Sequence, residues 1–174
     1  GTLGLLFLTD LKGYDVVLGK IASQFIHLGY GLLAIIPAAA LPLLIGGVTG
    51  SEVWRVGLAL MNQLFFSLGC GVLASAFCRR AGPAMAFTTA LLFGFCVLLP
   101  AFQSGANNAG TTPEALGLNA FSPTQAYTRA METSYVRAPQ NYWLALGISH
   151  LIGWAFIALA SWFLPRSWQD EPEP

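Results

Sequence analysis

Charged side chains are scarce in this chain of 174 residues. Asp, Glu, Lys and Arg together make up 9% of the residues, and the formal net charge at pH 7 is zero. Soluble domains carry about a quarter charged residues, so this chain has too little polar surface to coat a globule. With neither sign of charge in excess, nothing in the composition indicates nucleic-acid binding. The scarcity of charge, together with a hydrophobic fraction of 55%, favours a membrane protein.

Motifs for metal binding and for catalysis are also lacking. The three cysteines, Cys70, Cys78 and Cys96, have no CxxC or Cys/His spacing and lie in or beside apolar runs, where cysteine behaves as a small hydrophobic residue. No carboxylate lies in a long uncharged run, which disfavours a proton relay, an ion-coupled carrier and a membrane metalloprotease or aspartyl protease. Pairs such as Ser67 or Ser161 with His150 arise by chance in a chain of this size. We expect no catalytic residue and no metal site.

Four stretches of the sequence contain no charge at all, and each exceeds the roughly 20 residues that cross a bilayer core. The charged residues that flank them are Lys20 and Glu52, Arg55 and Arg79, Arg80 and Glu114, and Arg137 and Arg166. We predict an all-α membrane helix bundle with four transmembrane helices, at about 18–46, 53–77, 83–103 and 141–164.

Residues typical of helix ends bound these spans. Ser51 is predicted as the N-cap of the second span, with Glu52 in its first turn. Pro83 suits the first turn of the third span. Pro37 and Pro42 interrupt the first span and predict a kink near residues 33–38 that provides a hinge. The alternative is that Pro42 marks fraying at the outer end.

Lysines and arginines predict the orientation, because cytoplasmic loops carry an excess of them. Lys12, Lys20, Arg79, Arg80 and Arg166 fall on one side, and Arg55, Arg129 and Arg137 on the other. The first side is predicted to be cytoplasmic. Residues 1–20 then form a cytoplasmic segment, 21–164 the transmembrane domain and 165–174 a cytoplasmic tail.

The predicted external segment, 104–140, has two halves. Residues 104–112 are rich in Gly, Asn and Thr, which predicts an irregular loop. Residues 122–135 predict a short helix with Ser122 as N-cap and Pro123 in the first position. The aromatic residues near the external ends of the helices are predicted at headgroup level; they are Tyr127, Tyr135, Tyr142 and Trp143.

Polar residues inside the spans have two interpretations. They either form hydrogen bonds between helices, contributing about 1 kcal/mol each, or line a substrate path. The residues concerned are Gln24, His27, Asn62, Gln63 and His150. Small residues recur every fourth position in three spans and predict close helix packing. These rows are Ser67, Gly71 and Ser75; Ala86, Ala90 and Gly94; and Ala145, Ser149 and Gly153.

The first twenty residues have a pattern of their own. Residues 3–8 form an apolar run too short to span a membrane, residues 9–13 predict a turn, and Asp15 is expected in the first turn of the next helix. An exposed apolar patch beside a turn suits docking of a protein partner. The alternative is an amphipathic helix on the inner leaflet.

This segment resembles the first cytoplasmic loop of ABC-2 type transporter permeases. The residues that carry the resemblance are Gly1, Thr2, Leu3, Leu6, Thr9, Leu11, Val17, Gly19 and Lys20. The order of a loop, three close helices, an external segment and a last helix is also similar to that family. Two positions depart from it: the family often has Pro where Asp10 stands and a Ser-like cap where Lys12 stands.

The resemblance implies a permease subunit, of exporter type, in which this loop contacts a separate ATP-binding subunit. The residues expected to couple the two are Thr2, Leu3, Thr9, Asp10, Leu11, Lys12, Gly13, Tyr14, Asp15, Gly19 and Lys20. The four spans would be the third to sixth of six, so we expect the chain to be part of a longer protein. A second permease chain or half would complete the pathway, in a bacterial inner membrane.

ATP and Mg²⁺ would be bound by the partner subunit, because this chain lacks the G-x-x-x-x-G-K-[ST] motif. The chain itself is therefore not expected to be an enzyme or to bind a cofactor. The alternative from another class is a membrane scaffold or assembly subunit without transport. A membrane enzyme would need a catalytic constellation that the sequence does not contain.

Overall fold

The computed structural model describes residues 13–34, 36–78, 80–108 and 117–169, and all regular structure within these ranges is helical. The elements are α1 (Gly13–Leu33), α2 (Ile36–Ile45), α3 (Gly50–Phe77), α4 (Ala81–Phe93), a π-helical turn (Gly94–Leu98), α5 (Leu99–Asn108), a 3₁₀ turn (Leu118–Phe121), α6 (Pro123–Ala130), α7 (Glu132–Tyr135) and α8 (Pro139–Gln169). Six of the predicted coupling residues lie outside the described residues: Thr2, Leu3, Thr9, Asp10, Leu11 and Lys12.

Three helical segments within the described ranges are long and apolar enough to cross a membrane. They are Gly50–Phe77, Ala81–Gly105 and Pro139–Phe163. The all-α membrane class is thus supported, and the second to fourth predicted spans correspond to these three segments. The first predicted span, 18–46, is divided into α1 and α2, and neither part belongs to the three. A count of four spanning helices therefore stays a prediction.

The division between α1 and α2 lies where the prolines predict a kink. Pro37 is the second residue of α2, whereas Pro42 lies within α2 and does not interrupt it. Gly46, at φ 81°, follows the last residue of α2, and a left-handed glycine is a common helix stop. The interruption before Pro37 is a feature of the fold, and its use as a hinge stays a prediction.

The start of α3 differs slightly from the sequence-based prediction. Thr49, not Ser51, is the N-cap, and its hydroxyl accepts a hydrogen bond from the backbone N–H of Glu52 at 3.3 Å. Ser51 is already inside the helix, with its hydroxyl 3.1 Å from that of Thr49. Both residues are chemically suited to capping, so composition alone could not choose between them. Glu52 lies in the first turn, as predicted.

The other predicted ends are extended by several residues. The third helical segment starts at Ala81 with Pro83 in its first turn, and α5 continues it to Asn108. Residues 104–108 are therefore helical, not the irregular loop that their Gly and Asn content predicted; residues 109–112 lie outside the described ranges. The last helix runs through Pro165 to Gln169, although that proline was predicted to follow its end.

Helices α3 and α8 form the best-packed pair and run parallel. Along α3, Arg55, Asn62 and Phe77 contact Tyr142, Ser149 and Phe163 of α8 in the same order. The closest approach is at Gly69, where a Cβ atom would lie 3.0 Å from the Gly153 carbonyl oxygen. Small residues permit such backbone proximity between apolar helices.

Of the three predicted rows of small residues, only the row on α8 is buried. Ala145, Ser149 and Gly153 all face the interior. In the row on α3, Ser67 and Gly71 are half-buried beside α1 and Ser75 is exposed. The buried face of α3 is the adjacent one, at Ala59, Asn62, Phe66, Gly69, Cys70, Leu73 and Ala74. The row on the third segment is likewise open, with Ala86 and Ala90 exposed and Gly94 half-buried.

Residues 117–135, termed here the inserted segment, enter the bundle instead of remaining outside it. The Thr124 hydroxyl reaches the Cys96 carbonyl, and Cys96 also contacts Gln63. At its other end, Ala130 contacts Arg55. Arg55 and Gln63 are eight residues apart on α3, so the segment extends about 12 Å along that helix. That residues 104–140 lie on the external side of the membrane stays a prediction.

The short helix predicted within this segment is present but divided. Pro123 is the first residue of α6 and Ser122 its N-cap residue, as predicted. The Ser122 hydroxyl pairs with the Thr124 hydroxyl at 2.6 Å and not with a backbone N–H. Met131 separates α6 from α7. Tyr142, predicted at headgroup level, is instead fully buried.

Candidate functional site

A directional hydrogen-bond relay connects α8 to α3; Asn62 and Ser149 in it are buried, whereas His150 and Trp154 are exposed. The Trp154 indole Nε1–H donates to His150 Nε2 at 3.1 Å, and the other ring nitrogen, Nδ1, lies 3.0 Å from Asn62 Oδ1. The Asn62 amide donates to Ser149 Oγ at 2.6 Å, and that hydroxyl donates to the Ala145 carbonyl at 2.7 Å.

The direction of this relay follows from the chemistry of its first member. An indole nitrogen is only a donor, so His150 Nε2 must accept and the imidazole proton must sit on Nδ1. Nδ1–H then donates to Asn62 Oδ1, which leaves the Asn62 amide free to donate to Ser149. With these partners, the hydrogen bonds run from Trp154 through His150 and Asn62 to Ser149.

Aromatic packing holds the imidazole of this relay in place. The Phe65 ring stacks on His150, with centroids 4.7 Å apart, and is tilted against Trp154 at 5.2 Å. Gly153 makes room for Phe65, because a Cβ atom there would lie 2.8 Å from the Phe65 ring. The relay is thus built from one face of each helix, with the small residue of one opposite the large residue of the other.

The five polar residues predicted as candidates do not converge on one path. Asn62 and His150 meet in the relay, which supports their interpretation as hydrogen-bonding groups between helices. Gln63 is directed toward the π-helical turn, where its amide lies 3.3 Å from Cys96 Sγ. Gln24 lines a groove between α1 and α3, and His27 is exposed on α1. That any of the five lines a substrate path stays a prediction.

A second cluster, which the sequence-based prediction missed, surrounds Arg55 near the start of α3. Arg55 is 8% exposed, and its Nε–H donates to the Ala130 carbonyl at 3.1 Å. Its guanidinium pairs with the Glu132 carboxylate and lies 4.0 Å over the Tyr135 ring. Its own carbonyl accepts a hydrogen bond from the Tyr142 hydroxyl at 2.9 Å. A buried cation needs such partners, and these fix the inserted segment to α3 and α8.

The sequence shows both charged residues of this cluster but does not indicate that they form a pair. Arg55 lies in the first turn of the second predicted span, and Glu132 is a carboxylate in the segment that follows the third. Nothing in the spacing of the two residues, which are 77 positions apart, indicates that they meet. Only the return of the chain toward the start of α3 brings them together.

A hydrogen bond from Thr124 also anchors the inserted segment, at the beginning of α6. Pro100 has no backbone N–H, so the Cys96 carbonyl four residues earlier lacks its usual helical donor. The chain widens into a π-helical turn at this point, and the Leu99 N–H donates to the Gly94 carbonyl. The Thr124 hydroxyl donates to the Cys96 carbonyl at 3.3 Å. Single π-helical turns of this kind are frequent at functional sites.

A hydrogen bond to Gln103 anchors the 3₁₀ turn that precedes α6. Gln103 is buried, and its Oε1 accepts a hydrogen bond from the Asn119 backbone N–H at 3.0 Å. Gly117, at φ 25°, lies so close that a Cβ atom there would be 2.2 Å from Gln103 Nε2. The positive φ favours glycine at this position, and a larger side chain would have to displace the Gln103 amide.

The coupling residues that the structure describes all lie in the first two turns of α1. They are Gly13, Tyr14, Asp15, Gly19 and Lys20. Asp15 is in the first turn, as predicted. The helix continues without interruption to Leu33, and Ile21 is buried against Ile157, with Phe65 and Val72 packed around the pair. The start of α1 is thus joined to the interface of α3 and α8.

Within the described part of the chain, no group of three or more His, Cys, Asp or Glu residues is placed to hold a metal ion. In comparisons with known proteins, no protein-family model, no curated protein and no solved structure matches the chain. The function must therefore be argued from the sequence motif and from the geometry above.

Proposed function

We propose that this chain is the permease part of an ABC transporter of exporter type, which forms a substrate pathway and couples it to a separate ATP-binding subunit. The motif between Gly1 and Lys20 supports this proposal, as does the order of the helices that follow. ATP and Mg²⁺ would bind to the partner subunit, and a second permease chain or half would complete the pathway. The membrane would be the bacterial inner membrane.

The observation that carries the proposal is the continuity of α1. The described residues expected to couple to the ATP-binding subunit, within Gly13 to Lys20, belong to the same helix as Ile21, which is buried between α3 and α8. A displacement imposed on the start of α1 would therefore act directly on the packed pair. A flexible linker after Lys20 would not transmit it.

The third helical segment and the inserted segment would have different roles in such a permease. None of the apolar window of the third helical segment, Ala81–Gly105, is buried within the chain. This segment therefore offers a surface for lipid or for the second permease chain. The inserted segment lies at the predicted outer end and is anchored to α3 and to the π-helical turn, so it is placed to close the pathway there.

The alternative is a scaffold or assembly subunit that does not transport. The hydrogen bonds among Asn62, Ser149 and His150 favour it, because polar groups that pair with one another offer little to a passing substrate. This reading predicts no dependence on an ATPase.

The first experiment is to sequence the DNA on both sides of the coding region. Two further predicted spans upstream and a neighbouring frame with G-x-x-x-x-G-K-[ST] are expected. The ATP-binding protein would then be co-expressed with the full-length permease, and co-purification and ATP hydrolysis would be measured. A scaffold would show no neighbouring ATPase or no association with it.

Charge reversal at the start of α1 tests coupling itself. Asp15→Lys and Lys20→Glu in the full-length protein are expected to leave membrane insertion intact and to uncouple ATP hydrolysis from transport. Arg80→Glu is the matched control, since Arg80 is an exposed cation at the same predicted side, before α4. Normal transport and normal ATPase stimulation in both α1 variants would contradict the coupling role.

A further inference from the structure

A groove of about 210 Å³ lies between α1 and α3, near the end of the bundle where α1 starts. Lys20, Ile21 and Gln24 line it from α1, and Ser67, Leu68 and Val72 from α3. Ile21, Leu68 and Val72 make its floor apolar. Lys20 and Gln24 add a cationic and an amide group on one side. The groove is therefore amphipathic, with its polar groups on α1.

The described lining of the groove places no carboxylate beside the Lys20 ammonium. Lys20 is exposed, and the ion pair found among the described residues joins Arg55 and Glu132 at the far end of α3. The Ser67 hydroxyl donates to the Leu64 carbonyl of its own helix at 2.8 Å. An anion that entered the groove would thus meet one ammonium group and no opposing charge.

The position of the groove along the helices suits a lipid headgroup. Val72 lies five residues before the end of α3 at Phe77, which is about 8 Å of helix. A lysine at this depth places its apolar stem against the hydrocarbon and its ammonium toward the headgroups. Basic grooves between membrane helices at this level bind anionic headgroups.

We propose that this groove binds one anionic phospholipid of the surrounding membrane. The lipid phosphate contacts the Lys20 ammonium, with the Gln24 amide as a second donor, and an acyl chain lies against Ile21, Leu68 and Val72. The proposal concerns binding by the permease chain alone and does not depend on the ATP-binding partner.

Two other clefts in the described structure lack the features that carry this proposal. The cleft between α3 and α4, about 460 Å³, has no cation in its described lining, and its two threonine hydroxyls donate to carbonyls of their own helix. The cleft on α5, about 630 Å³, is lined by apolar side chains and small residues. Neither distinguishes a charged headgroup from a neutral one.

Binding is tested by native mass spectrometry and thermal unfolding of the full-length protein in detergent. Phosphatidylglycerol and phosphatidylcholine with the same acyl chains are the two probes, and inorganic phosphate is the third. Phosphatidylglycerol is expected to bind as one retained molecule and to raise the unfolding temperature more than phosphatidylcholine does. Lys20→Gln is expected to weaken phosphatidylglycerol binding by about fivefold, and Lys20→Arg to retain it.

Filling the groove separates shape from charge. Ser67→Leu places a larger side chain in the groove and is expected to reduce retention of both lipids. Ser75→Leu is the matched control. It is the same substitution two turns further along α3, in the lining of the cleft between α3 and α4. Equal binding of the two lipids, or unchanged binding in both Lys20→Gln and Ser67→Leu, would overturn the proposal. Binding of inorganic phosphate with no preference for phosphatidylglycerol would also overturn it.

Discussion

The α3–α8 pair and the α4–α5 segment are both apolar enough to cross a membrane, yet they are packed very differently. About a third of the apolar windows of α3 and α8 is buried, at 33% and 28%, whereas none of the window in Ala81–Gly105 is. Apolar character therefore does not decide which helices pack together. Lipid tails solvate a leucine about as well as another helix does, so association depends on close packing and on polar contacts.

The packed pair has both of these features. Gly69 and Gly153 bring the backbones together, and the relay from Trp154 to Ser149 gives each of its polar groups a partner on the pair itself. The α4–α5 segment has small residues at the same spacing, but among the described residues Ala86 and Ala90 are exposed and Gly94 is half-buried. Regular spacing of small residues therefore permits close packing of helices but does not by itself produce it.

The largest effect is expected from Gly69→Leu, which forces the packed pair apart. A Cβ atom at Gly69 would meet a backbone oxygen, which cannot rotate away. Overpacking of this kind costs about 1–3 kcal/mol of unfolding free energy. Gly57→Leu is the control, since nothing lies within 4 Å of a Cβ atom there. Thermal unfolding in detergent would measure both; equal stability of the two variants would show that the pair is not tightly packed at Gly69.

Next is Arg55→Ala, which tests whether the packed pair also holds the inserted segment. The variant removes the hydrogen bond to Ala130, the ion pair with Glu132 and the contact with the Tyr135 ring. Hydrogen bonds to charged groups contribute about 1.5–3 kcal/mol, and we expect a loss near the lower value because Glu132 is 42% exposed. Amide hydrogen exchange should rise in α6 and α7.

The matched control for this variant is Arg137→Ala, since Arg137 is exposed. It should leave exchange in α6 and α7 unchanged. If Arg55→Ala has no greater effect on exchange than Arg137→Ala, the inserted segment is held by its other anchors and not by the arginine.

A smaller effect is expected from Asn62→Leu, which interrupts the relay while keeping a similar volume. Hydrogen bonds between membrane helices contribute about 0.6 kcal/mol on average. Asn62 makes two of them, to Ser149 and His150, so the unfolding free energy should fall by about 1 kcal/mol. The indole N–H resonance of Trp154 should also shift, because its acceptor His150 loses the partner that fixes its tautomer. Met61→Leu, at the exposed neighbouring position, is the control. An unchanged Trp154 resonance in Asn62→Leu would contradict the relay.

The smallest effect is expected from Ala90→Leu, on the open face of α4. Substitutions at such positions change stability by less than about 0.5 kcal/mol. Ala145→Leu makes the same change at a position of α8 that is 1% exposed, and it should destabilise strongly. If Ala90→Leu destabilised the purified chain as much as Ala145→Leu, the contrast between the two helical regions would be wrong.

Sequence-based prediction succeeded where the signal was local. The three spanning segments, the first turn at Glu52, the break before Pro37 and the start of α6 at Pro123 each depend on a residue and its immediate neighbours. It erred by several residues where a helix continued into weak helix formers, as at Ser104 and after Pro165. Burial and neighbouring helices outweigh propensity at such ends, and these are not visible in a short window of sequence.

The candidate site was only partly predictable for a different reason. Asn62 and His150 were candidates because polar groups in apolar helices need partners, but the pairing of the two required the register of α3 against α8. Arg55, Thr124 and Gln103 were not foreseen as anchors, because each is explained by a partner far away in the chain. The inserted segment creates those partners, and no local pattern indicates that it enters the bundle.

The sequence by itself determined that this protein is helical and suited to a membrane, because a chain with so few charges cannot cover a soluble core and long uncharged runs must satisfy their own backbone hydrogen bonds. The tertiary structure alone decided which helices pack, which row of small residues is buried and where the inserted segment lies. These features depend on contacts between residues distant in sequence. Other rows of small residues have a spacing that would permit such contacts but do not make them.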